Sequence, residues 1–165
     1  VPAELPDFVI RPVIESDLPD LLDLWEALAA EGFIGAEAPI DRPARSAMWR
    51  ERFIDSHDAV FLIARDDQNL LGVGSLEGRG GLLNLGLSVD GRFRQRGVAT
   101  KLLDACLEWA RNNGAHKISL QVWPHNEAAI ALYEKFGFEH EGLLRKHYRR
   151  KNGELWDALV MGLPL

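Results

Sequence analysis

At 165 residues the chain reads as one domain, residues 1–165, long enough to bury about two thirds of its unfolded surface. A net charge of −6 argues against a general nucleic-acid binder, and the single Cys106 permits neither an internal disulfide nor a cysteine-held metal cluster. No apolar run approaches the roughly 18 residues of a membrane span and no basic-then-apolar leader opens the sequence, so no membrane partner is expected and the cytoplasm is the expected compartment.

Phe8 to Pro12 reads as a short strand. Ser16 and Asp17 offer caps to a helix that tolerates Pro19 in its first turn. In it Leu18, Leu21, Leu22, Trp25, Leu28 and Ala29 recur at helical spacing up to Gly32. Phe33 to Pro43 reads as loop, and a second helix over roughly Ala44 to Ile54 places Ala44, Met48 and Trp49 toward the core. Ala59 to Ala64 is a β run, Asp66 to Asn69 a turn and Leu70 to Leu76 the next strand. Gly78-Arg79-Gly80-Gly81 then turns the chain into Leu82 to Val89. No spacer of helix length separates these strands, so they form an antiparallel meander.

A polar turn at Asp90 and Gly91 ends that last strand. From Gly97 the spacing becomes helical, with Ala99, Leu102, Leu103, Cys106, Leu107 and Ala110 on one face, so Cys106 is expected to be a buried, inert thiol. Asn113-Gly114 stops the helix. Lys117 to Val122 is a strand, Trp123-Pro124-His125 leaves it, and Asn126 caps a helix ending at Gly137. Phe138 onward returns as strand, Asn152-Gly153 signals a two-residue hairpin, and Trp156 to Met161 closes the chain. The order is α+β: a mixed central sheet made of a meander and a C-terminal hairpin, flanked by about four helices.

The junction after Val89 is a strand leading through Arg94-Gln95-Arg96-Gly97 into a helix N-terminus. Unpaired N–H groups and the positive dipole end suit a phosphate there. Most such junctions bind nothing, and their arginines are then a solvated rim. The chain has no P-loop, and Gly72-Val73-Gly74 is followed by Gly78 one place too late for a dinucleotide loop.

Arg94-Gln95-Arg96-Gly97-Val98-Ala99 resembles the Gln/Arg-x-x-Gly-x-Gly/Ala signature of the GNAT superfamily of acetyl-CoA-dependent N-acetyltransferases. A second stretch, Asn126 to Phe138, follows at that family's usual distance, and the similarity runs from about Phe8 to the C-terminus. The likeness is nearest to bacterial amino-acid and ribosomal-protein alanine N-acetyltransferases. It implies a GNAT-like fold and acetyl-CoA as co-substrate, with no metal. It also implies coenzyme contacts from Leu87, Ser88, Val89, Arg94, Gln95, Arg96, Gly97, Val98, Ala99, Thr100, Asn126 and Tyr133.

Acetyl transfer to an amine needs a neutral nucleophile, a donor for the developing oxyanion, and a proton for the departing thiolate. In the resembled family a kink near Leu87–Val89 frees backbone N–H groups, which Gly86 would ease, although a glycine there equally suits plain packing. Tyr133 lies seven residues after Asn126, so the two side chains share a helix face. By spacing alone Tyr133 is a core aromatic; by resemblance it is the general acid for the leaving sulfur. Some relatives place a glutamate on the strand that here carries Gln121, and an amide is no base. Ordered water, Glu77 or His125 stand as alternatives, with water preferred.

The basic run Arg145, Lys146, His147, Arg149, Arg150 and Lys151 reads as a solvated hairpin face, or as attraction for a coenzyme phosphate or substrate carboxylate. The implied reaction is direct attack of a primary amine on the thioester. The expected acceptor is the α-amine of an amino acid or protein N-terminus, a small-molecule or peptide partner. Antibiotics, polyamines, herbicide-like amino acids and a non-catalytic acyl-CoA-binding role remain alternatives, and a homodimer stays open.

Overall fold

The structure, a computed structural model, describes residues 7–165. Residues 1–6, on which the leader reading and the start of the single-domain reading fall, lie outside the described residues. In chain order the elements are β1 (Val9–Pro12), α1 (Leu18–Glu31), α2 (Arg42–Trp49), β2 (Val60–Arg65), β3 (Leu70–Arg79), β4 (Leu82–Val89), α3 (Val98–Asn112), β5 (Lys117–Val122), α4 (Glu127–Lys135), β6 (Glu139–Arg149) and β7 (Leu155–Pro164). The strands form one sheet in the order β1-β2-β3-β4-β5-β7-β6. Every neighbouring pair is antiparallel except β4 and β5, which run parallel because α3 crosses between them. This is the α+β architecture expected from the order of the elements.

Turn chemistry sets the meander. Gly80 and Gly81 both take left-handed φ, +63° and +82°, so the β3–β4 hairpin closes in two residues and pairing continues out to Arg79 opposite Leu82. The turn is therefore shorter than the four-residue stretch expected. At the other hairpin the Asn152-Gly153 expectation needs correction. Arg150 N–H bonds to Glu154 O at 2.8 Å and Gly153 N–H to Arg150 O at 2.9 Å, with φ +88° at Gly153. That is a three-residue loop with the left-handed residue last, not a two-residue turn.

Two apolar clusters cover the sheet. On one side Leu102, Leu103 and Cys106 of α3 are fully buried against β2, β3, β4 and β5, together with Tyr133 and Phe138. Each such leucine stabilises the fold by about 2 kcal/mol. Burial pushes the Cys106 thiol up to about 12, so it stays protonated and unreactive at neutral pH. On the other side Leu21, Leu28, Trp49, Phe61 and Val73 pack α1 and α2 against the meander.

Two helix-start expectations are corrected. Asp17 makes no capping bond to α1. Its buried carboxylate instead accepts from Arg11 at 2.7 and 2.9 Å, Arg65 at 3.1 Å and the Ile14 N–H at 2.9 Å. Burial opposes its ionisation, but these donors more than offset it and hold the carboxyl below the usual range. The second helix starts earlier than expected, capped by Asp41 through the Ala44 N–H. That places Ala44 in the exposed first turn, while Trp49 is buried and Met48 half-buried.

Candidate active site

The sheet opens where β4 and β5 part. They pair only from Leu82–Asn84 to Lys117–Ser119. Asp90 N–H bonds to Leu71 O, so alternation along β4 directs the backbone of Ser88 toward β3 and that of Leu87 and Val89 toward the gap. Val89 O accordingly accepts from Arg94 Nε at 3.1 Å. No register shift interrupts the β3–β4 ladder, so the kink expected near Leu87–Val89 involves no bulge against β3. Free backbone groups arise from strand separation instead. Gly86 faces Ser75, whose Oγ would lie 2.7 Å from any added Cβ.

The chain then makes a 3-10 turn over Gly91–Phe93, held by the Asp90 carboxylate accepting the Arg92 N–H at 2.9 Å. Gln95 at φ +60° and Gly97 at φ +81° bend it into α3, which starts with no side-chain cap. The first turn closes with Lys101 N–H to Gly97 O at 3.1 Å. The N–H groups of Val98, Ala99 and Thr100 therefore have no partner within the helix. They border a cavity of about 390 Å³ lined also by Val89, Phe93, Arg94, Gln95, Gly97 and, from α4, Ala128, Ala129 and Leu132. Donors aimed from a helix start, beside a glycine without Cβ, fit the phosphate of a nucleotide-bearing co-substrate. Arg94 is fixed beside this cavity by Glu31 at 2.5 Å. Arg96 does not line it; its guanidinium sits 5.9 Å from the Phe93 ring.

A second cavity, about 250 Å³, lies against Trp25, Phe61, Val73, Ser75, Gln121, Trp123, Tyr148 and Ala158. Phe33, Ile34, Leu87, Ser88, Asn126 and Tyr133 line both cavities, so the two meet in the gap between β4 and β5. Asn126 caps α4 through the Ala129 N–H at 3.3 Å, which fixes its side chain at this junction. Tyr133 is buried, with the Phe138 ring 5.6 Å away. Burial, with Cys106 beside it, raises the phenol above its ordinary value, so it remains a proton donor throughout the neutral range.

Of the alternatives for the base, neither side chain reaches the second cavity. Glu77 pairs with Arg52 at 3.2 Å, and His125 packs between the tilted Phe33 ring and the edge-on Trp156 ring. Gln121 does line it, its carbonyl accepting from the Tyr148 hydroxyl. No Asp, Glu, Lys, Arg or His lines this cavity among the described residues. The basic run is not uniformly solvated: Arg150 is buried, 4.5 Å from the Trp156 ring and 5.2 Å from that of Trp123. The family resemblance marks the helix-loop-helix region around Phe33–Pro43 as the border of an acceptor pocket, without singling out Phe33 or Ile34 within it; Trp123 and Tyr148 were missed as cavity residues. The only residue-level signal of all four was aromatic or apolar character in a loop and beside a strand end, which packing explains equally well.

A gap in a mixed sheet, an anion-ready helix start and a tyrosine shared by two cavities fit a two-substrate group transferase. The chain belongs to the acetyltransferase (GNAT) family, whose pattern matches residues 21–138, and it is an acetyl-CoA-dependent N-acetyltransferase. It is 36% identical over 123 residues to the L-amino acid N-acetyltransferase AaaT of Escherichia coli, covering 69% of this chain and 74% of that protein. It is 35% identical over 79 residues to the ribosomal protein bS18-alanine N-acetyltransferase of Salmonella typhimurium, covering 48% of this chain and 53% of that one. The structure of a ribosomal-protein-alanine N-acetyltransferase from Brucella melitensis superposes with a TM-score of 0.85 at 28% identity, over 95% of this chain and 99% of the other. The fold is shared with yncA from Salmonella typhimurium, solved with its cofactor acetyl-CoA, at a TM-score of 0.84 and 20% identity over 96% of this chain and 94% of that one.

Proposed function

We propose that this single-domain enzyme acetylates the α-amine of an amino acid or of a peptide N-terminus, acting in the cytoplasm. The observation that carries the reading is the meeting of two cavities at Leu87, Asn126 and Tyr133. In it the N–H groups of Val98, Ala99 and Thr100 hold the coenzyme's pyrophosphate, with Gln95 and Gly97 shaping the turn and Arg94 and Arg96 supplying nearby positive charge. Acetyl-CoA, when bound, supplies the thioester. The backbone at Leu87 and Val89 steadies its carbonyl end, and Ser88 and Asn126 line the path between the cavities. Tyr133 hands its proton to the departing sulfur.

The acceptor cavity lacks ionised side chains among the described residues. A polyamine would enter it with cations that no carboxylate pairs, and desolvating them is costly. A missing carboxylate also leaves the amine to lose its own proton. An α-amine, with an ordinary pKa of about 7.7–8.0, is partly neutral at pH 7; a lysine amine, near 10.4, is neutral in only about one molecule in a thousand. Mass spectrometry of a panel of amino acids, short peptides and polyamines incubated with acetyl-CoA tests this, using lysine-bearing peptides to score the two amines in competition. Acetylation of α-amines is expected, and preference for side-chain amines at pH 7 refutes the reading.

A further inference from the structure

Phe33, Ile34 and Gly35 line the acceptor cavity from a loop, residues 33–41, that has no regular secondary structure. A wall built from such a segment keeps its place only if something outside the loop holds it. The tip of the β6–β7 hairpin does so. Arg150 Nη1 donates to Gly35 O at 3.0 Å, and its Nε lies 3.6 Å from Glu37 Oε1. The Lys151 N–H donates to Glu37 Oε2 at 3.0 Å, and Lys151 Nζ reaches the carbonyls of Glu37 and Ala38 at 3.3 Å. Arg150 is 6% exposed, with its guanidinium against the Trp123 and Trp156 rings. Burying that cation is offset by the two ring faces, Glu37 and the Gly35 carbonyl. A planar guanidinium meets all of these at once; an ammonium does not.

We infer that Arg150 and Glu37 are positioning residues that clasp the 33–38 segment onto the hairpin and so set the width of the acceptor cavity. Arg150 does not line that cavity; it acts through Gly35 and Trp123, which do. The inference rests on reading this cavity as the acceptor site. It predicts a specific kinetic signature: Phe33 and Ile34 also border the coenzyme cavity, but the backbone donors at the α3 N-terminus lie outside the clasp, so acceptor KM moves far more than acetyl-CoA Kd.

The test is steady-state kinetics of Arg150→Met, Glu37→Ala and Glu37→Gln, with acetyl-CoA affinity measured by calorimetry. Loss of a charge-assisted hydrogen bond raises acceptor KM by about tenfold or more in Arg150→Met and Glu37→Ala. In both, kcat and the acetyl-CoA Kd stay within about threefold of wild type. Glu37→Gln, which keeps an oxygen for the Lys151 N–H, recovers most of the loss. Arg150→Met removes a buried cation, so Glu37→Ala decides the matter where the arginine variant does not fold. An acceptor KM within about twofold of wild type in folded Glu37→Ala overturns the clasp. So does a parallel rise in acceptor KM and acetyl-CoA Kd, the mark of general loosening. If wild type acetylates no amine at all, the acceptor reading falls and the clasp with it; turnover with an unmoved KM removes the clasp alone.

Discussion

Replacing Tyr133 by Phe removes one oxygen and nothing else. The ring keeps its place beside Phe138, 5.6 Å away, within a site where the residue is only 6% exposed, so the fold and the coenzyme cleft are preserved. What is lost is the proton for the leaving sulfur. General acid assistance is worth about 100- to 10,000-fold, or about 3–5 kcal/mol of barrier at 1.36 kcal/mol per decade. The same loss should appear in kcat and in kcat/KM, because the interaction is made only as the thiolate departs. Release of free thiol from acetyl-CoA measures the rate, and calorimetry checks that coenzyme affinity is unchanged. The pH profile sharpens the test. Burial lifts the Tyr133 phenol, so its protonated, active form persists beyond the ordinary value near 10. Wild-type kcat should therefore rise as the acceptor amine deprotonates and show no alkaline decline up to about pH 10. A Tyr133→Phe enzyme within about threefold of wild type, or a wild-type decline near pH 8, refutes the assignment.

Gly97→Val forces a β-branched residue to φ +81° and puts carbon where the backbone faces the cleft; acetyl-CoA Kd should rise at least about tenfold, and wild-type affinity in a folded variant counts against the pyrophosphate assignment. Asp17→Asn leaves Arg11 and Arg65 without their buried counter-charge and should cost about 3 kcal/mol in urea unfolding. Because the Asp17 carboxyl is depressed in the fold, its contribution is full above the unfolded value near 3.9 and is lost as pH falls through the folded value. Wild type should therefore lose its advantage over Asp17→Asn on acidification below about pH 4, and a constant difference across that range argues against the ion pair as the cause.

Periodicity and turn residues made most of the fold legible. Leu82–Val89 and Lys117–Val122 have the bounds that their apolar runs mark, and α3 begins one residue after its glycine. Two of the misses, at Asp17 and Arg150, share a cause: a polar group draws in partners that are distant in sequence. Asp17 looks like a helix cap because its local context offers a helix start, yet Arg65, 48 residues on, helps to draw it inward. Arg150 sits in a run of cations that reads as a solvated face, and only the return of Trp123 and Trp156 to the same place buries it. The proposed coenzyme side is visible as a sequence pattern because phosphate recognition uses contiguous backbone at a helix start. The proposed acceptor side is marked only as a region by the resemblance, and its residues are not, since Trp25, Phe33, Gln121 and Tyr148 converge from four separate segments.

The parting of β4 and β5 also bears on the kinetic order of the proposed reaction. On the proposed reading, two cavities that share only Leu87, Ser88, Asn126, Tyr133 and two loop residues hold the two substrates side by side, so neither has to leave before the other arrives. The buried thiol of Cys106, held protonated, offers no place to park the acyl group between visits. Both reactants are then present together when the bond changes hands. Initial-rate lines at several fixed concentrations of one substrate intersect rather than run parallel, and no burst of acylated protein precedes the steady state.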